Sequence, residues 1–280
     1  MPFNGKAAHK FLETMAKQQG YVKIKGSLGG LTFYKKNGDE IIRTTGGVSK
    51  ERILSDPSYR RTRENMKEFA GAATAGKGLR EGFKEIAKRM SDDYAVGRIT
   101  GMMKRINSVG VGQRGQRPIH ILLNKLFIEG FDFNKVTPLG SVLHASYSVP
   151  SLDVNRSIAT WTVPDFDTDT GVTAPEGATH FKLVLASAVL SDYVYSSATK
   201  TYEPTSPEEN SVRGVTMSAE LPIGGMVGSD TTLTVDLGFT APLPPTVGVL
   251  VGVGIIFYQL IQTEYYELAS NNSLRIVMVG

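Results

Sequence analysis

Three stretches of this 280-residue chain place residue types at spacings that could do chemistry. GAATAGKG, residues 71–78, approaches a phosphate-binding loop: Gly71, four residues, Gly76 and Lys77, then Gly78 where such a loop needs Ser or Thr to hold magnesium. NSVGVGQRGQRP contains GxGxxG at Gly110, Gly112 and Gly115, a spacing that in dinucleotide folds brings backbone N–H groups to a pyrophosphate. DFDTDTGVTAPE, 165–176, alternates Asp165, Asp167 and Asp169 and puts Glu176 at the twelfth place, as in a calcium-binding EF-hand loop.

The neighbouring sequence argues against each. A phosphate loop follows a buried strand, whereas RRTRENMKEF before Gly71 is charged and helical. The expectation is that Gly71, Ala72, Ala73, Ala75 and Gly76 keep a helix thin where another element crosses closely. The GxGxxG stretch follows a helical pattern and is soon closed by Pro118, which reads as a mobile basic loop. In the acidic stretch Gly171 stands at the seventh place, not at the sixth where the sharp turn is needed, and the flanks read as strands. An acidic loop between strands is the plainer expectation. His9, His120, His144 and His180 show no metal-ligand spacing, and no GxSxG elbow is present. No catalytic, cofactor-binding or metal residue is assigned, no cofactor is implied, and no small-molecule substrate is expected.

Composition narrows the classes further. With no cysteine, disulfides, thiolate zinc sites and cysteine nucleophiles are excluded. The first twenty residues lack the apolar core of a signal peptide, so a cytoplasmic protein, or part of a particle assembled there, is expected. The longest apolar run, VGVLVGVGIIFY at 247–258, has 12 residues and falls short of the roughly 20 that span a bilayer. It reads as a core strand. Residues 1–130 carry 25 Lys and Arg against 12 Asp and Glu, a net of +13; residues 131–280 carry 6 against 15, a net of −9. Such a split points to two functional parts.

The elements follow from periodicity and turn chemistry. Asn4–Gln19 reads as a helix closed by Gly20. A basic β-meander follows, with strands near 21–25, 31–36 and 39–45 and a hairpin turn at Asn37-Gly38. A long helix starts at Asp56-Pro57; its face runs through Thr62, Met66, Phe69, Ala73, Gly76, Leu79, Phe83, Ala87 and Met90. A second helix is expected over Ser91–Ser108 and a short one over HILLNKLF, 120–127. From residue 134 strand patterns dominate: SVLHASYSV, SIATWTV, THFKLVLASAVL, YVYSSATKTYE, VRGVTMSAEL, TTLTVDLGF, VGVLVGVGIIFYQLI and SLRIVMV. The expected fold is α+β in three parts: an N-terminal helix and meander arm (1–46), a basic helical region (47–130) and an acidic antiparallel β-sandwich (131–280). SIATWTVP resembles the second strand of fibronectin-III or immunoglobulin-like domains, with Trp161 in the core.

YVKIKGSLGGLTFYKKNG, VSKERILSDPSYRRTRENMKEF, AGKGLR, EGFDFN, APEGATHFKL and the GIIFYQ…YYEL ending together resemble an uncharacterised family of bacterial hypothetical proteins. The resemblance implies a basic hairpin and helical region before an Ig-like β-sandwich, and supplies no catalytic residues.

These features suggest a non-enzymatic structural protein whose partners are copies of itself. A small meander buries little alone, and a basic half with an acidic half suits heterologous contacts that close into rings or run on as filaments or tubes. A phage-like virion or tail component is the form expected. The alternatives are nucleic-acid binding through the basic half and a β-sandwich adhesion module. Arg60, Arg61, Arg63, Lys67, Lys77, Arg80, Lys84, Lys88 and Arg89, with Arg114 and Arg117 in the loop, could meet phosphates. Glu64, Glu68, Glu81 and Glu85 interleave with them, as on an ordinary solvated helix.

Overall fold

A computed structural model of the chain describes residues 15–36, 38–44 and 47–280. Its first element is strand β1 (Met15–Lys17), followed by β2 (Gly26–Leu28), β3 (Leu31–Lys36) and β4 (Asp39–Thr44), which form one antiparallel sheet in the order β1-β4-β3-β2. Gly29 and Gly30 take φ of +56° and +80° between Leu28 and Leu31, which lie opposite each other. A two-residue type I′ turn needs positive φ at both positions, and only glycine adopts it without strain. β3 and β4 pair from Leu31 opposite Thr44 to Lys36 opposite Asp39, and Gly38 takes a φ of +90°.

Two expectations fail in this sheet. Residues 4–14 of the expected N-terminal helix lie outside the described residues, but Met15–Lys17 is strand, paired with Arg43, Ile42 and Ile41. The hydrogen-bonding edge of β4 overrides helical propensity there. Residues 21–25 carry a strand pattern yet join no ladder, and the first strand of the meander is Gly26–Leu28 instead.

Helix α1 (Lys50–Ser55) is capped by Ser49, whose hydroxyl accepts from the Arg52 N–H. Asp56 caps a single 3-10 turn at Pro57–Tyr59, which leads into α2 (Arg60–Gly82). Of the expected face, Gly76, Leu79, Phe83 and Met90 are buried, but Thr62, Met66 and Phe69 are exposed, because the first half of the helix turns Glu68, Ala72 and Ala75 inward instead. The helix breaks at Phe83, and α3 (Lys84–Met90) continues it. α4 (Ala95–Val109) follows, and HILLNKLF forms a 3-10 helix at Leu122–Phe127.

The remaining elements are β5 (Ser151–Leu152), β6 (Ile158–Val163), α5 (Thr168–Gly171), β7 (His180–Ser191), β8 (Tyr193–Ser196), β9 (Thr201–Pro204), β10 (Arg213–Met217), β11 (Leu221–Pro222), β12 (Thr231–Asp236), β13 (Val247–Ile261), β14 (Glu264–Glu267) and β15 (Ser273–Val279). SVLHASYSV is not a strand. It holds one bridge, Leu143 to Val172, and starts at the end of a 3-10 turn, Leu139–Ser141; Leu139, Val142 and Leu143 fill the core there. Its apolar residues meet the demand for burial without a ladder.

The fold is α+β with antiparallel sheets. The largest sheet runs β10-β7-β13-β14, with β11 on β7 and β15 on β13; β12-β6-β5 form a second sheet. β7 and β13 are buried on both faces, so their sequences read as continuous apolar runs. Successive side chains of a strand point to opposite faces. Val184, Ala186, Ala188, Leu190, Leu250 and Ile256 therefore face the helices, packing with Leu79, Phe83, Ile86, Ile99, Met102 and Met103. Their neighbours Leu183, Leu185, Val249, Val251, Val253 and Ile255 face the second sheet, against Trp161, Val163, Leu233 and Val235.

The chain divides into two units, Met1–Arg60 and Arg61–Gly280. Contacts thus put the boundary at Arg60/Arg61 instead of after residue 46. They also draw 61–130 together with 131–280, because the helices cover one face of the large sheet. No helix among the described residues is long and apolar enough to cross a membrane.

Candidate functional site

GAATAGKG lies inside α2. A Cβ at Gly71 would stand 2.5 Å from the Tyr202 ring, one at Gly78 would strike the Tyr193 hydroxyl, and one at Gly82 would come within 2.7 Å of the Ala188 Cβ. Real Cβ contacts are longer, so these glycines let the helix lie directly on the sheet and on the β8–β9 hairpin. The position where a phosphate loop needs Ser or Thr is buried packing, and Lys77 points to solvent from the opposite side of the helix.

The GxGxxG stretch is tied down by a buried ion cluster. Glu68 is 1% exposed. Its carboxylate accepts from Arg117 Nε and Nη2, each at 2.8 Å, from Lys104 Nζ at 2.7 Å and from the Gly115 N–H at 2.8 Å. Arg117 also donates to the Ser108 carbonyl, and its own carbonyl accepts from Asn107 and Tyr202. Burial pushes the Glu68 carboxyl up, but the hydrogen bonds from Arg117, Lys104 and Gly115 outweigh it and hold the pKa at about 2. The bond to Glu68 in turn raises the pKa of Arg117. The loop expected to be a mobile basic element is therefore an anchored one, and Arg117 is committed within the protein.

The alternating aspartates likewise serve local structure. Asp165 accepts from the Gly228 N–H at 2.7 Å, and Asp169 from the Gly225 N–H at 3.3 Å. Asp167 caps the short helix α5 through the Asp169 N–H. Among the described residues no group of three or more His, Asp or Glu side chains is placed to hold a metal ion.

One pairing invisible in the sequence resembles catalytic machinery. His120 Nδ1 lies 2.7 Å from Asp192 Oδ2, and the other Asp192 oxygen accepts from the Ile121 N–H at 2.7 Å. A carboxylate that orients an imidazole in this way is half of a base–nucleophile arrangement. The nearby hydroxyls are engaged elsewhere: Ser191 Oγ with Thr205 Oγ1 and with the Asp192 carbonyl, both at 3.0 Å. The pair stitches the segment after Pro118 to the end of β7. His144 pairs with Thr173 and His180 with Thr179, while His9 lies outside the described residues.

Much of the cationic face expected to meet phosphates is also engaged. Arg61 bonds Glu64 at 2.8 Å, Lys84 lies 3.8 Å from Glu81, Arg89 pairs with Glu267, and Lys67 sits over the Tyr195 ring. A cavity of about 510 Å³ is lined by Arg98, Arg105, Glu129, Phe131, Asp132 and Lys135. Asp132 is held in two hydrogen bonds by Arg275, and Arg98 is held by Asp92 and by the Asp132 and Phe133 carbonyls.

The sharpest unmet valence is in the N-terminal unit. Phe33 is the one buried hydrophobic residue among its described residues, whereas Tyr21, Val22, Ile24, Leu28, Leu31, Val48 and Leu54 are exposed. Comparison of the chain with protein-family models, with curated proteins and with solved structures found no match.

Proposed function

We propose that this chain is a non-enzymatic structural protein that assembles with copies of itself. The observation that carries the reading is the N-terminal unit, in which Phe33 is the one buried hydrophobic residue among the described residues while Tyr21, Val22, Ile24, Leu28 and Leu54 are exposed. A small sheet without an apolar face buried against something is marginal in water, and clustered exposed apolar side chains mark interaction surfaces. The charge split favours head-to-tail contact: residues 1–60 carry 11 Lys and Arg against 5 Asp and Glu, while residues 131–280 carry 6 against 15. A filament, tube or phage-like virion or tail component is the form this suggests, built in the cytoplasm. Membership of the bacterial family it resembles, and an immunoglobulin-like ancestry for the paired sheets, belong to the same proposal.

Nucleic-acid binding has less support, because Arg61, Arg89 and Arg117 already hold carboxylates. Sedimentation velocity of the full chain over a concentration series tests the reading. Concentration-dependent oligomers are expected, weaker at about 1 M than at about 0.1 M salt as the screening length falls from about 10 to about 3 Å. A monomer at every concentration overturns it. Salt-sensitive retention of a generic oligonucleotide by that monomer would favour the alternative.

A further inference from the structure

We propose that residues 21–25 of one copy add as a strand to the free edge of β14 in a second copy. The inference rests on the self-assembly reading and names the contact. In Tyr21-Val22-Lys23-Ile24-Lys25 an extended backbone puts Val22 and Ile24 on one face and Tyr21, Lys23 and Lys25 on the other. The composition is that of a strand, yet the segment sits in no ladder and Val22 is 80% exposed. Only Ile24 has backbone partners. The Gln18 side-chain amide accepts from its N–H at 3.0 Å and donates to its carbonyl at 3.2 Å, as a residue of a neighbouring strand would. Among the described residues no hydrogen bond reaches the backbone of 21, 22, 23 or 25. Tyr21 and Val22 lie in a bend and Lys23–Lys25 in no regular element, so apart from those of Ile24 the segment's backbone groups become open to a partner edge once that bend straightens.

β14 is the matching acceptor. It ends the large sheet and pairs with β13 on one side only. The last pair between β13 and β7 is Tyr258 with His180, so the hairpin beyond it projects from the sheet. All four β14 residues are exposed, and Tyr265, Tyr266 and Ile261 offer apolar surface. Residues 259–268 contain Glu264 and Glu267 and no Lys or Arg. Glu267 is taken by Arg89, which leaves Glu264 to face a lysine. The opposite edge, β10, carries Arg213 and no acidic residue, so charge selects β14. Strand addition would satisfy backbone groups on both sides and cover the tyrosines and Val22 together.

The chain has no cysteine, which makes crosslinking unambiguous. Full-length Val22→Cys protein is mixed with full-length Tyr265→Cys protein under mild oxidation, because a strand that sets Lys25 on the face of Glu264 sets Val22 on the face of Tyr265. A disulfide-linked heterodimer is expected, with none when Val22→Cys is mixed with a Val194→Cys control. Oligomers that sediment normally but give no such link overturn the β14 contact and leave self-assembly standing; a monomer at every concentration overturns both. A Val22→Cys/Tyr265→Cys double variant that links within a single chain overturns the choice of a second copy. Independently, Lys25→Glu should weaken assembly about fivefold, the effect of turning one cross-strand attraction into repulsion. Adding Glu264→Lys should restore it, and failure to restore also overturns the contact.

Discussion

The two units of this chain contain similar local structure and opposite burial. The N-terminal sheet has four antiparallel strands and a tight turn at Gly29–Gly30, and its described residues bury one hydrophobic side chain, Phe33. The unit from Arg61 to Gly280 sandwiches its large sheet between two apolar cores and places a four-bonded carboxylate beneath the helices. Ladder hydrogen bonds and turn residues are enough to shape a sheet. Lasting stability requires apolar surface removed from water, at roughly 25 cal/mol per Å². The difference teaches that the larger unit buries its apolar surface within itself, whereas much of that of the smaller one's described residues stays exposed.

The largest effect should come from the buried cluster. Glu68→Gln leaves Arg117 and Lys104 facing a neutral amide, and removing one partner of a buried ion cluster costs about 3 kcal/mol; urea unfolding of the larger unit measures it. The same residue sets a pH dependence. Its folded pKa of about 2 lies below the ordinary 4.5. Its contribution is therefore complete above about pH 4.5 and is lost as pH falls towards 2, on the order of 3 kcal/mol in all. Glu68→Gln should flatten that acid limb. An unchanged acid limb would mean that the cluster does not distinguish the two units.

Gly78→Ala comes next. Alanine gains about 1 kcal/mol of helix propensity over glycine, but its Cβ meets the Tyr193 hydroxyl and comes within 3.1 Å of Leu190 Cδ1. Overpacking of this kind costs about 1–3 kcal/mol, so a net loss of about 1 kcal/mol is expected in thermal melting. A stabilised variant would show that α2 can lift from the sheet.

Phe33→Ala sharpens the contrast from the other side. The N-terminal sheet should lose its amide-exchange protection, while the unfolding free energy of the larger unit changes by less than about 0.5 kcal/mol, as expected for energetically independent units. A shift as large as that of Gly78→Ala would join the two units energetically. The smallest effect belongs to Lys77→Ala, an exposed helix position, expected within about 0.5 kcal/mol of the parent and without influence on nucleotide affinity. Specific ATP or GTP binding abolished by that substitution would revive the phosphate-loop reading.

Local chemistry, acting within one turn or one hairpin, is legible in the amino-acid sequence. Glycine-containing turns mark the meander, the small residues of GAATAGKG announce a close crossing, and the apolar run at 247–258 reads as a core strand. The net of +13 before residue 131 and of −9 after it is also plain before any folding. Tertiary structure alone decided which charges meet. Glu68 finds Arg117 across 49 positions and His120 finds Asp192 across 72, and no periodicity links residues so far apart. It also decided that Tyr21–Lys25 remains unpaired while Met15–Lys17 becomes strand. A ladder needs a partner edge, and only the folded chain determines which edges are free.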